Sequence, residues 1–384
     1  MRSALSTDLT QAERLKFILL ADGAAVTPSA ENALNDIVGG GAWSPDDYAS
    51  TRGLILRLDD DVWVNVPVER YNANFVPGTT MTIDIGPNGF FVYGQGLESP
   101  AAFWPPASFH FRKNADGRPY WHFVVTHGDR ARLSPTIGCA MVCDFCNIPF
   151  DDTYAGVKPV APMLEAIQVA LQDERQPGRH LLISGGTPGP KHIPALQHVY
   201  ESVLQTFPGL AVDIMMVPLP GLFDLPRLDA LGVNEFSINL EVFDEDIAKD
   251  VMRHKQRQGR QYYLNFLEEA AETLGAGRVR SMLMVGIESA ESTLAGARAI
   301  LERGCVPVLS PFKPDPVTPM ADARPPRAAE TLDVFLRATE LADRLGGALG
   351  PTCPPCTHNT LSFARKNADG AHYDHAMPVL HTGA

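Results

Sequence analysis

From about residue 131 the chain alternates short β-rich runs with helical ones, and this rhythm limits the fold more than any other feature. ARLSPTIG, HLLISG, AVDIMMV, NEFSINLEV, VRSMLMVGI and VPVLSPF read as strands. Between them, APMLEAIQVALQ, IPALQHVYESVLQTF, PRLDALG, YYLNFLEEAAETLG and ESTLAGARAILERG carry helical periodicity. Strands that alternate with helices favour a parallel α/β sheet, closed or partly closed as a barrel. Such sheets place their ligands beyond the carboxyl ends of the strands.

The flanking regions read differently. Residues 1 to about 50 give helical pieces, with Thr10 and Glu13 spaced as a capping box. GLILRL, VWVNVPV, TMTIDI, GFFVYG and WHFVVTH, within 53–125, predict a small antiparallel β domain whose aromatic residues pack its core. A last helix at about 326–346 leads into a Pro- and Cys-rich tail. The expected division is 1–128 (helical and β-rich), 129–318 (barrel core) and 319–384 (C-terminal helix and tail).

The net charge of -13 argues against a general nucleic-acid binder, which needs clustered Lys and Arg to neutralise phosphates. No window nears the roughly 20 apolar residues of a membrane span. The first residues carry Asp8 and Glu13 where a secretory signal would be basic and then apolar. A cytoplasmic protein is therefore expected, and clustered thiols there point to metal or redox chemistry rather than disulfides.

Five of the six cysteines fall in two tight groups. The first, Cys139, Cys143 and Cys146, has CxxxCxxC spacing directly after the first barrel strand. Three thiolates in one short loop suit three irons of a [4Fe–4S] cluster and leave the fourth iron open to a small molecule. Zinc would want a fourth Cys or His at a fixed spacing, and none lies nearby. Buried free thiols are the plainer alternative.

Over about 130–315 these features resemble the radical S-adenosylmethionine (SAM) superfamily. Phe145, before the third cysteine, matches the aromatic usual there. Ser184-Gly185-Gly186-Thr187-Pro188 is similar to the GGEP motif, whose backbone holds the SAM amino group, with Thr187 in place of the usual Glu. Asn239-Leu240-Glu241 is similar to a stretch in the branch holding biotin synthase, lipoyl synthase and a hydrogenase maturase. By that likeness Asn239 and Glu241 contact the SAM ribose; the alternative is that Glu241 pairs with Arg280. Gly286, Ile287 and Glu288 resemble the GxIxGxxE region beside the adenine, and Glu288 serves equally well as a first-turn helix acid. Pro311 and Phe312 lie where adenine stacking would be natural. In the basic run 253–260, Lys255 and Arg260 are the candidates for the SAM carboxylate or an anionic substrate, against the reading of a solvated loop.

The second group is Cys353-Pro354-Pro355-Cys356, with His358 close behind. Three readings stand: an auxiliary iron–sulfur cluster, with help from Cys305 or His358; zinc, with unidentified partners; or a thiol redox pair. His122, His127, His192, His198, His372, His375 and His381 are scattered and read as ordinary histidines, with His372 and His375 a weak metal candidate.

The resemblance implies a partial (β/α)6 radical SAM barrel that reductively cleaves SAM to a 5′-deoxyadenosyl radical, with flavodoxin or ferredoxin as reductant. The radical would abstract hydrogen from a small-molecule substrate, for sulfur insertion or carbon-skeleton rearrangement in cofactor or natural-product biosynthesis. The enzyme subclass (lyase, sulfurtransferase or other transferase) stays open. The rival reading is an iron–sulfur binding or cofactor-maturation scaffold.

Overall fold

The computed structural model describes residues 9–39, 53–69, 76, 78–110, 112–364 and 380–383. His372 and His375 lie outside these residues. Helix α1 (Gln11–Asp22) starts at the expected capping box: Thr10 Oγ1 accepts from the Glu13 amide, and Glu13 accepts from the Thr10 amide at 2.9 Å. After β1 (Ala25–Val26), α2 (Pro28–Ile37) is capped by Thr27, with Pro28 in its first turn.

Strands β2 (Leu54–Leu58), β3 (Trp63–Val66), β4 (Thr82–Gly86), β5 (Gly89–Gly94) and β6 (Leu97–Trp104) join β1 in a six-stranded sheet, in the order β1-β4-β5-β6-β2-β3. Strand β6, absent from the sequence reading, contains Pro100. That residue pairs with Phe91 of β5, while pairing to β2 begins only at Ala101, so its missing N–H faces no strand partner.

The segment WHFVVTH does not belong to this sheet. It forms β7 (Val124–His127), which folds back on β8 (Arg130–Leu133) through a two-residue hairpin with Gly128 at φ 58°. The boundary expected at 128/129 thus falls inside a hairpin. The remaining elements follow in order: β9 (Thr136–Ile137), α3 (Ile148–Asp151), β10 (Gly156–Val157), α4 (Val160–Leu171), β11 (His180–Ser184), α5 (Ile193–Thr206), β12 (Val212–Met215), α6 (Leu225–Ala230), β13 (Glu235–Ser237), α7 (Glu245–Val251), α8 (Arg253–Gln256), α9 (Arg260–Leu274), β14 (Val279–Val285), α10 (Ala290–Leu301), β15 (Val306–Pro311) and α11 (Ala328–Arg344). Six parallel strands, β8 and β11–β15, form the partial barrel, and β7 is its antiparallel edge.

Alternation sorts the two faces of this sheet. Ala131, Leu133, Leu181, Ile183, Val212, Ile214, Phe236 and Val279 are all 0% exposed, beneath the helices. The register puts Arg130, Arg132, His180, Asp213, Glu235 and Arg280 on the other, concave face. Arg280 ties three strands by ion pairs to Asp213 (2.7 Å) and Glu235 (2.5 Å). The barrel interior is therefore polar, unlike one filled by Val, Ile and Leu.

The tail closes the amino end of the barrel. Gly350 bridges to Val308, the Leu361 amide donates to the Leu309 carbonyl, and Pro355 packs on Gly128. One apolar core runs from Ala12 through the barrel to Leu361, and the rings of Phe17 of α1 and Phe335 of α11 pack at 5.3 Å in a tilted arrangement. Buried Lys16 holds the tail by donating to the carbonyls of Thr357 (2.8 Å) and Ser362 (2.6 Å).

Burial draws the Lys16 pKa down to about 7. Lys16→Met strands two buried carbonyls and should lower the urea-unfolding free energy by about 2–4 kcal/mol. Between pH 7 and 10 the unfolded chain holds the Lys16 proton and the folded chain does not, so the wild type gains stability over the variant as pH rises. Parallel urea titrations at pH 7 and 9.5 check both effects.

Candidate active site

The cysteine loop starts at the carboxyl end of the first parallel strand. Its base is closed by the β9–β10 ladder, where Ile137 pairs with Gly156 and Thr136 with Val157. Gly138 turns the chain at φ 61°, a conformation that suits glycine, and a Cβ there would meet the Asp152 carbonyl oxygen at 2.5 Å.

The turn after β11 docks directly on this loop. The Thr187 amide donates to Cys139 Sγ (3.1 Å), and the Thr187 carbonyl accepts from the Ala140 amide (2.9 Å). The Met141 amide also donates to Cys139 Sγ, at 3.4 Å. A Cβ on Gly186 would sit 2.0 Å from the Gly138 oxygen, and Thr136 Oγ1 donates to the Gly186 carbonyl. The second glycine thus serves the approach of two backbones. On the far side, the Tyr154 hydroxyl accepts from the Gly189 amide and meets His192 Nδ1, both at 2.7 Å.

A third element grips the loop from α7 and α8. The Asp144 amide donates to the Val251 carbonyl (2.7 Å), and the Val142 amide donates to His254 Nδ1 (3.0 Å). His254 sits in the basic run flagged from the sequence, but its role as an acceptor for the cysteine loop has no spacing signature. Phe145 and Cys143 pack with Val242, Ala248, Met252 and Ile287 in a small apolar cluster. Ile287 thus packs against the same three residues as Cys143.

Glu241, at φ 66°, pairs with buried Lys255 at 2.9 Å rather than with Arg280. Lys255 also donates to the Asn239 carbonyl and lies over the Tyr263 ring. Asn239 Oδ1 accepts from Ser237 Oγ (2.9 Å) and the Met282 amide (3.1 Å), which joins β13 to β14. Burial, then the nearby Glu241 carboxylate, raises the Cys143 pKa, and burial raises Cys146 to about 12. Iron binding to these thiols must release their protons.

The other residues expected near SAM have these protein partners. Glu288 accepts from the Phe243 and Asp244 amides (2.9 and 2.7 Å), Ser292 Oγ and Thr293 Oγ1, so its carboxylate pins the start of α10 to the turn before α7. Arg260 donates to the Phe243 carbonyl, pairs with Glu245 and lies over the Phe243 ring. Gly286 packs on the Pro326 ring and lines a cavity of about 620 Å³ between α10 and α11. Gly185 fits against Pro135 and Thr136. Phe312 is 1% exposed.

At the opposite end of the strands, Cys353 and Cys356 meet Asp129 and His180, all four ligand atoms lying within 4.8 Å of one another. The sequence reading named neither Asp129 nor His180. Cys305 is elsewhere, buried with its thiol on the Leu267 carbonyl, and His358 is turned to the Pro355 carbonyl. Neither joins the group.

Residues 133–294 match the sequence model of the radical SAM superfamily. The chain carries a radical SAM domain. No curated protein sequence matches it. Solved structures similar to it include a radical SAM methyltransferase from Sphaerobacter thermophilus, with 16% identity, 72% of this chain and 77% of that one covered, and a TM-score of 0.46. FeFe-hydrogenase maturase HydG from Carboxydothermus hydrogenoformans has 13% identity, coverage of 65% and 62%, and a TM-score of 0.45. Methylornithine synthase PylB has 14% identity, coverage of 66% and 74%, and a TM-score of 0.43.

A [4Fe–4S] cluster and SAM are the cofactors of the radical SAM family. The residues present fit them. The triad supplies three thiols from one loop, and the chain's other three cysteines are placed elsewhere. Among the described residues, the group of ligand atoms drawn within 4.8 Å of one another is the distant one, not the triad. Thiols sharing one zinc ion would lie about 3.8 Å apart, given Zn–S bonds of about 2.3 Å.

Gly186→Ala should remove more than half of the iron and sulfide per chain while far-UV circular dichroism stays native. Thr187→Ala, which keeps the amide on Cys139, should retain the wild-type iron content. Equal iron in all three proteins would show that the docked turn does not hold the loop.

Proposed function

We propose that the chain is a radical SAM enzyme that abstracts hydrogen from a small-molecule substrate. One observation carries this reading. A single loop presents Cys139, Cys143 and Cys146, a backbone turn is hydrogen-bonded to it, and the Glu241–Lys255 pair adjoins Val242 of the apolar group on which Cys143 packs. Cys139, Cys143 and Cys146 would hold the cluster. Gly185, Gly186, Thr187, Asn239, Glu241 and Ile287 would border SAM. When bound, the cluster and SAM together supply a 5′-deoxyadenosyl radical, with flavodoxin or ferredoxin as the electron source.

The protein's own groups have separate tasks. Lys255 neutralises Glu241 and fixes its carboxylate, which remains part-exposed and able to accept from hydroxyl groups. Phe145, Met252 and Ile287 exclude water from the Cys143 side of the loop. The polar concave face, with Arg132 on it, suits a small polar substrate better than an apolar one. Sulfur insertion or carbon-skeleton rearrangement in cofactor or natural-product biosynthesis rests on the Asn239-Leu240-Glu241 likeness. No helix among the described residues is long and apolar enough to cross a membrane, and a cytoplasmic site of action is part of the proposal.

Anaerobic reconstitution with iron and sulfide, then dithionite and SAM, should yield 5′-deoxyadenosine, and Cys143→Ala should abolish it. Glu241→Gln should keep its iron and raise the KM for SAM about 10–100-fold, the equivalent of one charge-assisted hydrogen bond of about 1.5–3 kcal/mol. An intact cluster with no 5′-deoxyadenosine would instead make the chain an iron–sulfur scaffold.

A further inference from the structure

We propose that Asp129, His180, Cys353 and Cys356 bind a single zinc ion at the floor of the barrel. The proposal stands apart from the radical chemistry. The group lies at the amino ends of β8 and β11, whereas the cysteine triad lies beyond their carboxyl ends. Strand β11 has five residues, which alone separates its two ends by roughly 13 Å at about 3.3 Å per residue.

The geometry distinguishes an ion site from a catalytic relay. Asp129 Oδ1, Cys353 Sγ and Cys356 Sγ all approach the same His180 nitrogen, Nε2, at 3.3, 3.8 and 3.4 Å. A Cys–His–Asp relay uses the two ring nitrogens separately, one for the nucleophile and one for the acid. Convergence on one nitrogen means that the four atoms surround a common point.

The spacing fits zinc at that point. With Zn–S of about 2.3 Å, Zn–N of about 2.05 Å and Zn–O of about 2.0 Å, a tetrahedron has N–O, S–N and S–O edges of about 3.3, 3.6 and 3.5 Å. The observed N–O separation is 3.3 Å and the S–N separations are 3.4 and 3.8 Å. Cys353 Sγ lies 3.5 Å from Asp129 Oδ1. An iron–sulfur cluster distributes its ligands over several irons and spreads them wider. The donor set of two thiolates, one imidazole and one carboxylate suits zinc's borderline softness.

Burial favours a structural role. Asp129, Cys356 and His180 are 0%, 2% and 6% exposed. Four protein ligands fill a tetrahedral shell and leave no position for substrate. The ion would join the tail to the β7–β8 hairpin and to β11, three segments with no sequence continuity.

The test uses anaerobically purified full-length protein that retains its iron. Metal analysis should find one zinc ion per chain besides iron. The Cys139→Ala/Cys143→Ala/Cys146→Ala variant should keep zinc and lose iron. The Cys353→Ala/Cys356→Ala variant should lose zinc and keep triad iron. Should the latter fail to fold, wild-type protein exchanged with Co(II) still decides: tetrahedral ligand-field bands with thiolate-to-cobalt charge transfer are expected. Four results would overturn the proposal: wild type that takes up neither zinc nor cobalt, zinc lost with the triad, iron instead of zinc lost with Cys353 and Cys356, or a Cys353–Cys356 disulfide in zinc-free protein.

Discussion

Gly186 and Gly138 bring two backbones so close that a single added carbon on Gly186 would meet an oxygen at 2.0 Å. Much else at the carboxyl end of the barrel hangs on this contact. It places the Thr187 amide on the Cys139 sulfur and the Thr187 carbonyl on the next amide of the loop. Farther along the same loop, Cys143 and Phe145 pack against Val242, Ala248 and Met252. The contact is made of main chain and tolerates many side chains at Thr187. That explains how a threonine can stand where the resembling motif has a glutamate.

The barrel was legible because its physics is local and periodic. Strand and helix runs, the cysteine spacing and the Thr10–Glu13 box each depend on residues a few positions apart. Pro100 hid β6, since a proline inside a strand is harmless only where a neighbour is missing, and neighbours are not written in a strand's own residues. WHFVVTH looked like another meander strand, and only the Gly128-Asp129 turn, pairing it forward to β8, revealed its sheet. Glu241 carried an Arg280 alternative because Arg280 lies on the next strand. Arg280 is instead held by Asp213 and Glu235, and Lys255 arrives from a helix that the strand pattern does not place.

The two ends of the sheet have separate chemistry. At the carboxyl end, charge is balanced in the Glu241–Lys255 pair and the thiols are shielded by apolar neighbours. At the amino end, Arg280 with its two carboxylates and the Asp129–His180–cysteine group lie under the tail. His180 had no signal in the sequence because its partners are 51, 173 and 176 residues away. Metal-ligand patterns are recognisable when a loop carries them, as at 139–146, and silent when the fold assembles them.

Closure of the barrel floor by residues near 353 also bears on synthesis. At about 5–20 residues per second, roughly 10–35 s pass between the emergence of His180 and that of Cys353 from a ribosome. During that interval the turn at 185–187 and the cysteine loop are both already made, while β12 to β15 are still emerging and the floor is open. Lys16, one of the first described residues, waits longer still for the carbonyls of Thr357 and Ser362. The nascent chain can therefore assemble its upper rim well before its base, and a ribosome stalled ahead of residue 350 would expose a barrel with a lip and no floor.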